Sequence, residues 1–454
     1  MMVNHGLELK QLDSIYENEG NTISLVYGKR GCEKELLFKQ FSMNKPVFYY
    51  RARQCSDNKQ LLYLSKQIEA DFSSKLNKIT YDECFHRLRT NNAKKIVIVI
   101  DECENAIKKN SEFFNSLLNL KNKKLYPGPV MIILATASKV WANEHFSEIV
   151  GDSIANCISR VELSDLTFLD VVRAFPDYSV SECVATYGII GGACKYINIW
   201  NGKKSIRDNV CELILKNNGA LFDEADRIIA SELREPSCYA TIISSIASGH
   251  EKLNDLFEDT GYSRAKISVY MKNLAAFDVI ERAVSFETGG WDNTKKGVYR
   301  ISNPFLNFYY TFIYPHMSEL YTITADEFYD IYIASNLNDY LQIYFANVCR
   351  EYLFLLNKMG QLPIKLVNIG TWIGKEATID VLGQSSNREN VVGICNWNES
   401  LMPYEAYEQL LDSMKKARIT ARTIFMFSAT AFDDRLKALE QAESTVVLVD
   451  MTEL

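Results

Sequence analysis

Four short apolar runs rich in β-branched residues, separated by helix-like stretches, constrain this chain more than any other feature. Residues 22–27, 46–51, 95–100 and 130–135 are strand-length and bounded by turn or charge signals, while 34–41 and 61–73 carry amphipathic helical spacing. Apolar runs of this kind alternating with helices form a parallel sheet covered on both faces. Residues 1–165 are therefore expected to be an α/β domain, and the remainder of the 454 residues leaves room for about two more domains. With 47% hydrophobic and 24% charged residues the chain is expected to be globular throughout. The formal net charge of −7 gives no general attraction to nucleic acid, so such binding requires a local basic face. Eleven cysteines with no C-x-x-C pair point to reduced, buried thiols. The start lacks a basic segment followed by an apolar one, and no apolar run approaches the ~20 residues a bilayer requires. A soluble, cytoplasmic protein with no membrane contact is expected.

Beyond residue 165 the pattern changes. Residues 166–235 are helical, with a glycine pair at Gly191 and Gly192. Residues 236–303 read as three short helices followed by a hairpin at 285–302 around Gly289 and Gly290, the outline of a winged helix-turn-helix. Residues 304–340 form an aromatic helical connector. Within it Phe305, Phe308, Tyr309, Tyr310, Phe312 and Tyr314 recur at three- and four-residue spacing, which fits a buried helix face better than a base-stacking platform. In 341–454 strand signals return at 379–382, 391–396, 423–427 and 445–449, so a second α/β domain closes the chain.

Gly28-Lys-Arg-Gly31-Cys-Glu33-Lys34-Glu35 follows the first strand and precedes a helix, the place of a phosphate-binding loop. Against G-x-x-x-x-G-K-[ST], Gly28 and Lys34 match. Glu33 replaces the second glycine, and Glu35 replaces the hydroxyl that would hold Mg²⁺. Each adds negative charge beside a polyanion, and two unit charges ~4 Å apart at an effective dielectric of ~20 repel by about 4 kcal/mol. Asp101 and Glu102 end the strand at 96–100, where one carboxylate would orient Mg²⁺ and the other polarise an attacking water. Thr136 and Ser138 end the run at 130–135, where a γ-phosphate sensor would sit.

The serial order of these segments resembles that of the prokaryotic P-loop ATPases of the AAA/STAND, archaeal-type family with a C-terminal restriction-endonuclease-like domain. The resemblance is carried by Glu8-Leu9, the loop from Gly28 to Glu35, Tyr50-Arg-Ala52-Arg, Asp101-Glu102 and Thr136-Ala-Ser138. Tyr187-Gly-Ile-Ile-Gly-Gly192-Ala-Cys-Lys-Tyr196 and Tyr299-Arg-Ile-Ser-Asn-Pro304-Phe-Leu-Asn-Phe308-Tyr continue it. It implies an ATPase core (1–165), a helical lid (166–235), a winged helix (236–303), a connector (304–340) and a restriction-endonuclease-like domain (341–454). It also implies ATP with magnesium as cofactors, held by Gly28, Gly31, Lys34, Glu35 and Thr136, with Asp101 and Glu102 catalytic.

The same resemblance places the nuclease chemistry. Asp380 stands at the family's strand aspartate, but Ile394 and Asn396 replace a glutamate and a lysine, and Ala346 replaces the helix glutamate. One carboxylate does not assemble a divalent-ion site, so Asp380 is expected to be a solvated strand-end carboxylate and Ile394 to line an apolar pocket. Arg264, Lys266 and Lys272 on the third helix, with Lys295, Lys296 and Arg300 in the wing, are the residues a double-stranded DNA contact would use. Segment 236–303 nevertheless holds eight basic and eight acidic residues, and a protein partner competes equally. The leading expectation is an ATPase-family protein degenerate at both chemical sites, acting as a regulatory or binding module. The alternative is a slowly hydrolysing ATP switch coupled to DNA through the winged helix.

Overall fold

The computed structural model describes residues 5–453 apart from 30, 73–74, 77, 89–94, 109–110, 121–128, 233–234, 287–296, 375–376 and 399. It has two compact units, residues 2–165 and 166–454. In the first, strands β1 (Thr22–Gly28), β2 (Val47–Arg51), β3 (Ile96–Asp101), β4 (Val130–Thr136) and β5 (Ser159–Leu163) form one sheet in the order β2-β3-β4-β1-β5. All four pairings are parallel. Burial explains why the runs were legible: every residue of β3 and β4 is buried. Ile96, Ile98 and Ile100 pack on one face, and Val97 and Val99 on the other. The strand the periodicity missed is β5. It pairs only with β1 at the sheet edge, and Arg160 and Glu162 interrupt its apolar pattern. Helices α1 (Gly6–Glu17) and α2 (Lys34–Phe41) cover the second face, through Leu12, Ile15, Leu37, Phe38 and Phe41.

The second unit begins with helices, among them Phe168–Ala174, Val180–Ile190 and Cys194–Ile199. Gly192 is needed there, because a Cβ would stand 2.0 Å from the Leu166 carbonyl oxygen. Three helices follow, Pro236–Ala247, Leu253–Thr260 and Arg264–Ala276, with Ser263 capping the last by accepting from the Lys266 N–H. The hairpin that follows lies earlier than expected. Its antiparallel strands are β6 (Ile280–Ala283) and β7 (Val298–Ile301), while Gly289 and Gly290 lie outside the described residues. Residues 285–286 instead join the next sheet, the Phe286 N–H donating to the Thr371 carbonyl at 2.8 Å and Ser285 Oγ accepting from the Ile373 N–H at 2.9 Å. The aromatic run is core: Phe305, Phe308, Tyr309, Tyr310 and Phe312 are all buried.

The closing sheet is mixed, in the order β14-β12-β10-β9-β8. Strands β8 (Leu366–Ile373), β9 (Thr378–Ser385) and β10 (Asn390–Asn396) are antiparallel neighbours. Beyond the two-residue β11 (Leu401–Met402), β12 (Thr423–Ser428) runs parallel to β10; beyond β13 (Ala431–Phe432), β14 (Val446–Asp450) runs parallel to β12. A 23-residue helix, Leu337–Met359, packs against this sheet. The unanticipated strand is again at an edge: β8 exposes Val367 and Asn368 and carries Gly370.

Candidate nucleotide site

The end of β1 is tightly specified. A Cβ on Gly28 would meet the Leu163 carbonyl oxygen at 2.5 Å and Cys32 Sγ at 2.9 Å, so only glycine lets β5 and the loop close on β1. Lys29 forms an ion pair with Asp165, and Arg30 lies outside the described residues. Gly31 has φ +88°, and Glu33 adopts the left-handed conformation at φ +55°. Position 33 thus keeps a backbone that glycine adopts freely while carrying a Cβ, at a conformational cost of about 1 kcal/mol. The Glu33 carbonyl accepts from the Leu36 and Leu37 N–H groups, which starts α2, and no side chain caps that end. Cys32 is buried beneath the loop; burial pushes its thiol up, and its Sγ–H donates to the Lys29 carbonyl at 2.8 Å. Lys34, the first residue of α2, makes no ion pair among the described residues.

The acidic side of the site is more crowded than the motif implies. Arg51 ends β2 directly opposite Asp101 in the parallel register. Its guanidinium lies 3.0 Å from Glu35 Oε1, 3.4 Å from Glu102 Oε1 and 4.0 Å from Asp101 Oδ2. These three carboxylates outweigh the burial penalty and raise its proton affinity. Asp101 is 2% exposed; its Oδ2 accepts from the Tyr49 hydroxyl at 2.6 Å, and its Oδ1 is buried without a hydrogen-bond partner. Burial, with the Asp101 carboxylate, holds the Tyr49 hydroxyl proton far above the ordinary tyrosine range. Glu102 sits at φ +51° and opens the short turn Cys103–Asn105.

That turn carries a residue the motif reading passed over. Glu104 folds back toward the end of β4, and burial pushes its carboxyl up to about 7, with the neighbouring Glu102 carboxyl adding to the rise. A hydrogen bond to Thr136 opposes it. The Thr136 hydroxyl also accepts from the Ser138 N–H at 3.0 Å, so this candidate sensor is engaged by its own strand end.

Asp380 in β9 is not a solvated strand-end group. It is partly buried, and its Oδ2 accepts from the Cys395 N–H of β10 at 2.9 Å. Arg350, from the long helix, donates to the Asp380 carbonyl and to Thr371 Oγ1, each at 2.9 Å, and to Asn347 Oδ1. Burial lowers Arg350 and raises Asp380; the Cys395 N–H and the Arg350 charge oppose the rise of Asp380. Ala346 is buried. Asn396 bonds Ser428, and Ile394 packs into the sheet core beside residues such as Val392 and Met426 rather than opening a pocket. Arg264 stacks over Phe257 at 4.1 Å, Lys266 over Tyr262 at 4.1 Å, and Arg300 lies 3.4 Å from Glu251. Lys272 is exposed, and Lys295 and Lys296 lie outside the described residues.

Residues 2–198 match an ATPase domain found predominantly in Archaea. Residues 2–198 are an archaeal-type P-loop ATPase domain. Residues 309–410 of this ATPase-family chain match a second family, of archaeal and bacterial proteins of unknown function. An uncharacterized protein of Methanocaldococcus jannaschii is 26% identical over 388 residues, 85% of each chain. Among solved structures, the Walker-type ATPase of Pyrococcus abyssi is 15% identical with a TM-score of 0.43, over 67% of this chain and 95% of that one. The ORC2 protein of Aeropyrum pernix is 10% identical with a TM-score of 0.43, over 74% and 93%.

For an ATPase of this family the implied cofactor is nucleotide with magnesium, and the residues here fit the metal poorly. No three His, Cys, Asp or Glu side chains among the described residues converge in a geometry that could hold a metal ion. Glu35 stands where a hydroxyl is needed, and Arg51 lies among the acidic oxygens. Among the described residues no helix is long and apolar enough to cross a membrane.

Proposed function

We propose that this archaeal-type ATPase has lost metal-dependent hydrolysis and nuclease chemistry and acts as a binding or regulatory module. The observation that carries this reading is the fate of the carboxylates: Glu35, Asp101 and Glu102 are shared by a side chain of the protein itself, and no metal-holding cluster remains among the described residues. Glu33 and Glu35 add two carboxylates to the loop that would face a triphosphate, and Glu35 engages Arg51. Millimolar Mg-ATP is therefore expected to leave the melting temperature of the full chain unchanged, whereas a ligand at ~100 times its Kd would add about 2.7 kcal/mol. A clear shift that Lys34→Ala abolishes, or hydrolysis above background that Glu102→Gln abolishes, overturns the proposal and favours the slow ATP switch.

The segment of three helices and a hairpin, read as a winged helix, supports a protein contact over duplex DNA. Arg264, Lys266 and Arg300 are occupied by rings or a carboxylate of their own segment, which among the described candidates leaves Lys272 to face outward beside Ala265, Ser268 and Val269. Duplex affinity is expected to be weak with little dependence on salt. A steep log–log slope that falls by about one for each of Arg264→Ala, Lys266→Ala and Lys272→Ala reverses this and makes the helix a phosphate-contacting surface.

A further inference from the structure

The long helix Leu337–Met359 meets the end of β10 over successive turns. Gln342 donates to the Cys395 carbonyl at 3.0 Å and accepts from the Trp397 N–H at 3.0 Å, and the Phe345 and Trp397 rings lie 5.3 Å apart. Further along the same face Cys349 reaches Cys395, and the two thiols are hydrogen-bonded to each other. Cys349 is 0% exposed and Cys395 7%. The Cys395 main chain is fixed as well, since its N–H donates to Asp380 Oδ2 at 2.9 Å. The same helix also holds the helical region that opens the second unit, because Glu351 accepts from the Phe168 N–H at 2.9 Å and from the Tyr187 hydroxyl at 2.7 Å. Two thiols are thus kept in contact by a helix and a central strand, at a point where a covalent bond would fasten both.

We propose that Cys349 and Cys395 are a peroxide-sensitive latch, a dithiol that closes to a disulfide and fastens the long helix to β10. Cys395, the less buried sulfur, attacks hydrogen peroxide; the O–O bond breaks, Cys395 becomes a sulfenic acid, and one water leaves. The Cys349 sulfur then attacks the Cys395 sulfur, an S–S bond forms, and the sulfenic hydroxyl leaves with the Cys349 proton as a second water. The sulfur pair loses two electrons and one peroxide is reduced. Burial pushes the Cys395 thiol up, Cys349 and Asp380 add to the rise, and the Arg350 charge opposes it, so the thiolate is scarce and closure is slow. A thiol that holds its proton tightly is also a poor leaving group, so the closed latch resists reduction once formed. The latch lies within the second unit and stands whether or not the nucleotide site is retired.

The test exposes the folded full chain to hydrogen peroxide at about 1 mM for several hours, then unfolds it, alkylates the remaining thiols and maps the peptides. Most molecules are expected to carry one new crosslinked peptide that joins Cys349 to Cys395 and is lighter by two hydrogens. The melting temperature should rise by about 5 °C, because the bond closes a long loop in the unfolded chain, and a phosphine reductant should reverse both changes. Cys349→Ala should abolish the crosslink and the rise, and should leave at Cys395 a sulfenic acid that dimedone traps. Cys157 is exposed, so its oxidation reports that the peroxide was active. Oxidised Cys157 beside fully alkylated Cys349 and Cys395 overturns the inference, and so do sulfinic acids at both positions without a bond between them. If Cys349→Ala does not fold, the wild-type peptide map decides alone.

Discussion

Glu104→Gln is expected to stabilise the chain by about 3 kcal/mol at pH 8 and by almost nothing at pH 4. The Glu104 carboxyl binds its proton at about 7 in the folded chain, against 4.5 for a free glutamate. Between those values the unfolded chain gives up this proton while the folded chain keeps it. Stability therefore falls as pH rises through the window from about 4.5 to 7 and is level above it. At about 1.4 kcal/mol for each tenfold change in proton affinity, the full penalty at neutral pH is about 3 kcal/mol. Glutamine imitates the protonated form, keeps an acceptor for Thr136, and removes the like charge beside Glu102. The check is the difference in melting temperature between variant and wild type from pH 4 to 8, because other titrating groups cancel in that difference. A gap that does not change with pH would show that Glu104 binds its proton equally in the folded and unfolded chains, and its raised proton affinity would have to be abandoned.

Arg350→Met is expected to destabilise the second unit by about 2–3 kcal/mol, the cost of leaving partly buried oxygens without a charged donor. Methionine fills much of the volume but donates nothing, so Thr371 Oγ1 and Asn347 Oδ1 lose the Arg350 donor, the Asp380 carbonyl is left with the Thr371 hydroxyl, and the Asp380 carboxylate loses a favourable charge. The second half of the argument is a rescue. Arg350→Met with Asp380→Asn removes both charges, and the double variant should recover at least half of the loss, as measured by denaturant unfolding of the full chain. No recovery would mean that Arg350 acts through its hydrogen bonds to Thr371 and the backbone, with its charge irrelevant. Asp380→Asn alone should give no gain or loss of DNA cleavage.

Gly28, Asp101 and Glu102 could be placed from the chain alone because each lies at the end of a strand whose apolar run announces it, and Lys34 because it opens the helix that follows the first of those strands. β3 shows this plainly, since five consecutive apolar residues end at the acid and all of them are buried. The same logic fails at two of the four edges of the large sheets, β5 and β8, although the edge strands β2 and β14 are legible. β5 and β8 have one neighbour each, their outer residues meet water, and Glu162 or Asn368 breaks the pattern that burial on both faces would impose. It also misplaced the hairpin, because residues 285–286 are as extended as a hairpin strand and only their hydrogen bonds to β8 show which sheet they join.

The sequence by itself determined the sheet-and-helix layering of both α/β regions, the location of the phosphate-type loop, and the buried character of the aromatic segment at 305–312. All of these follow from side-chain hydrophobicity repeated at short range, which any one stretch of chain displays. Tertiary structure alone decided what the charged groups do. Arg51 reaches Asp101 and Glu102 because β2 lies beside β3 in a register that sets residues 51 and 101 opposite each other. Glu104 keeps its proton because a turn buries it, and Asp380 is held because Arg350 arrives from a helix thirty residues earlier. Charge interactions depend on distance through space and on the water excluded between groups, and neither quantity is written in the spacing of residues along the chain.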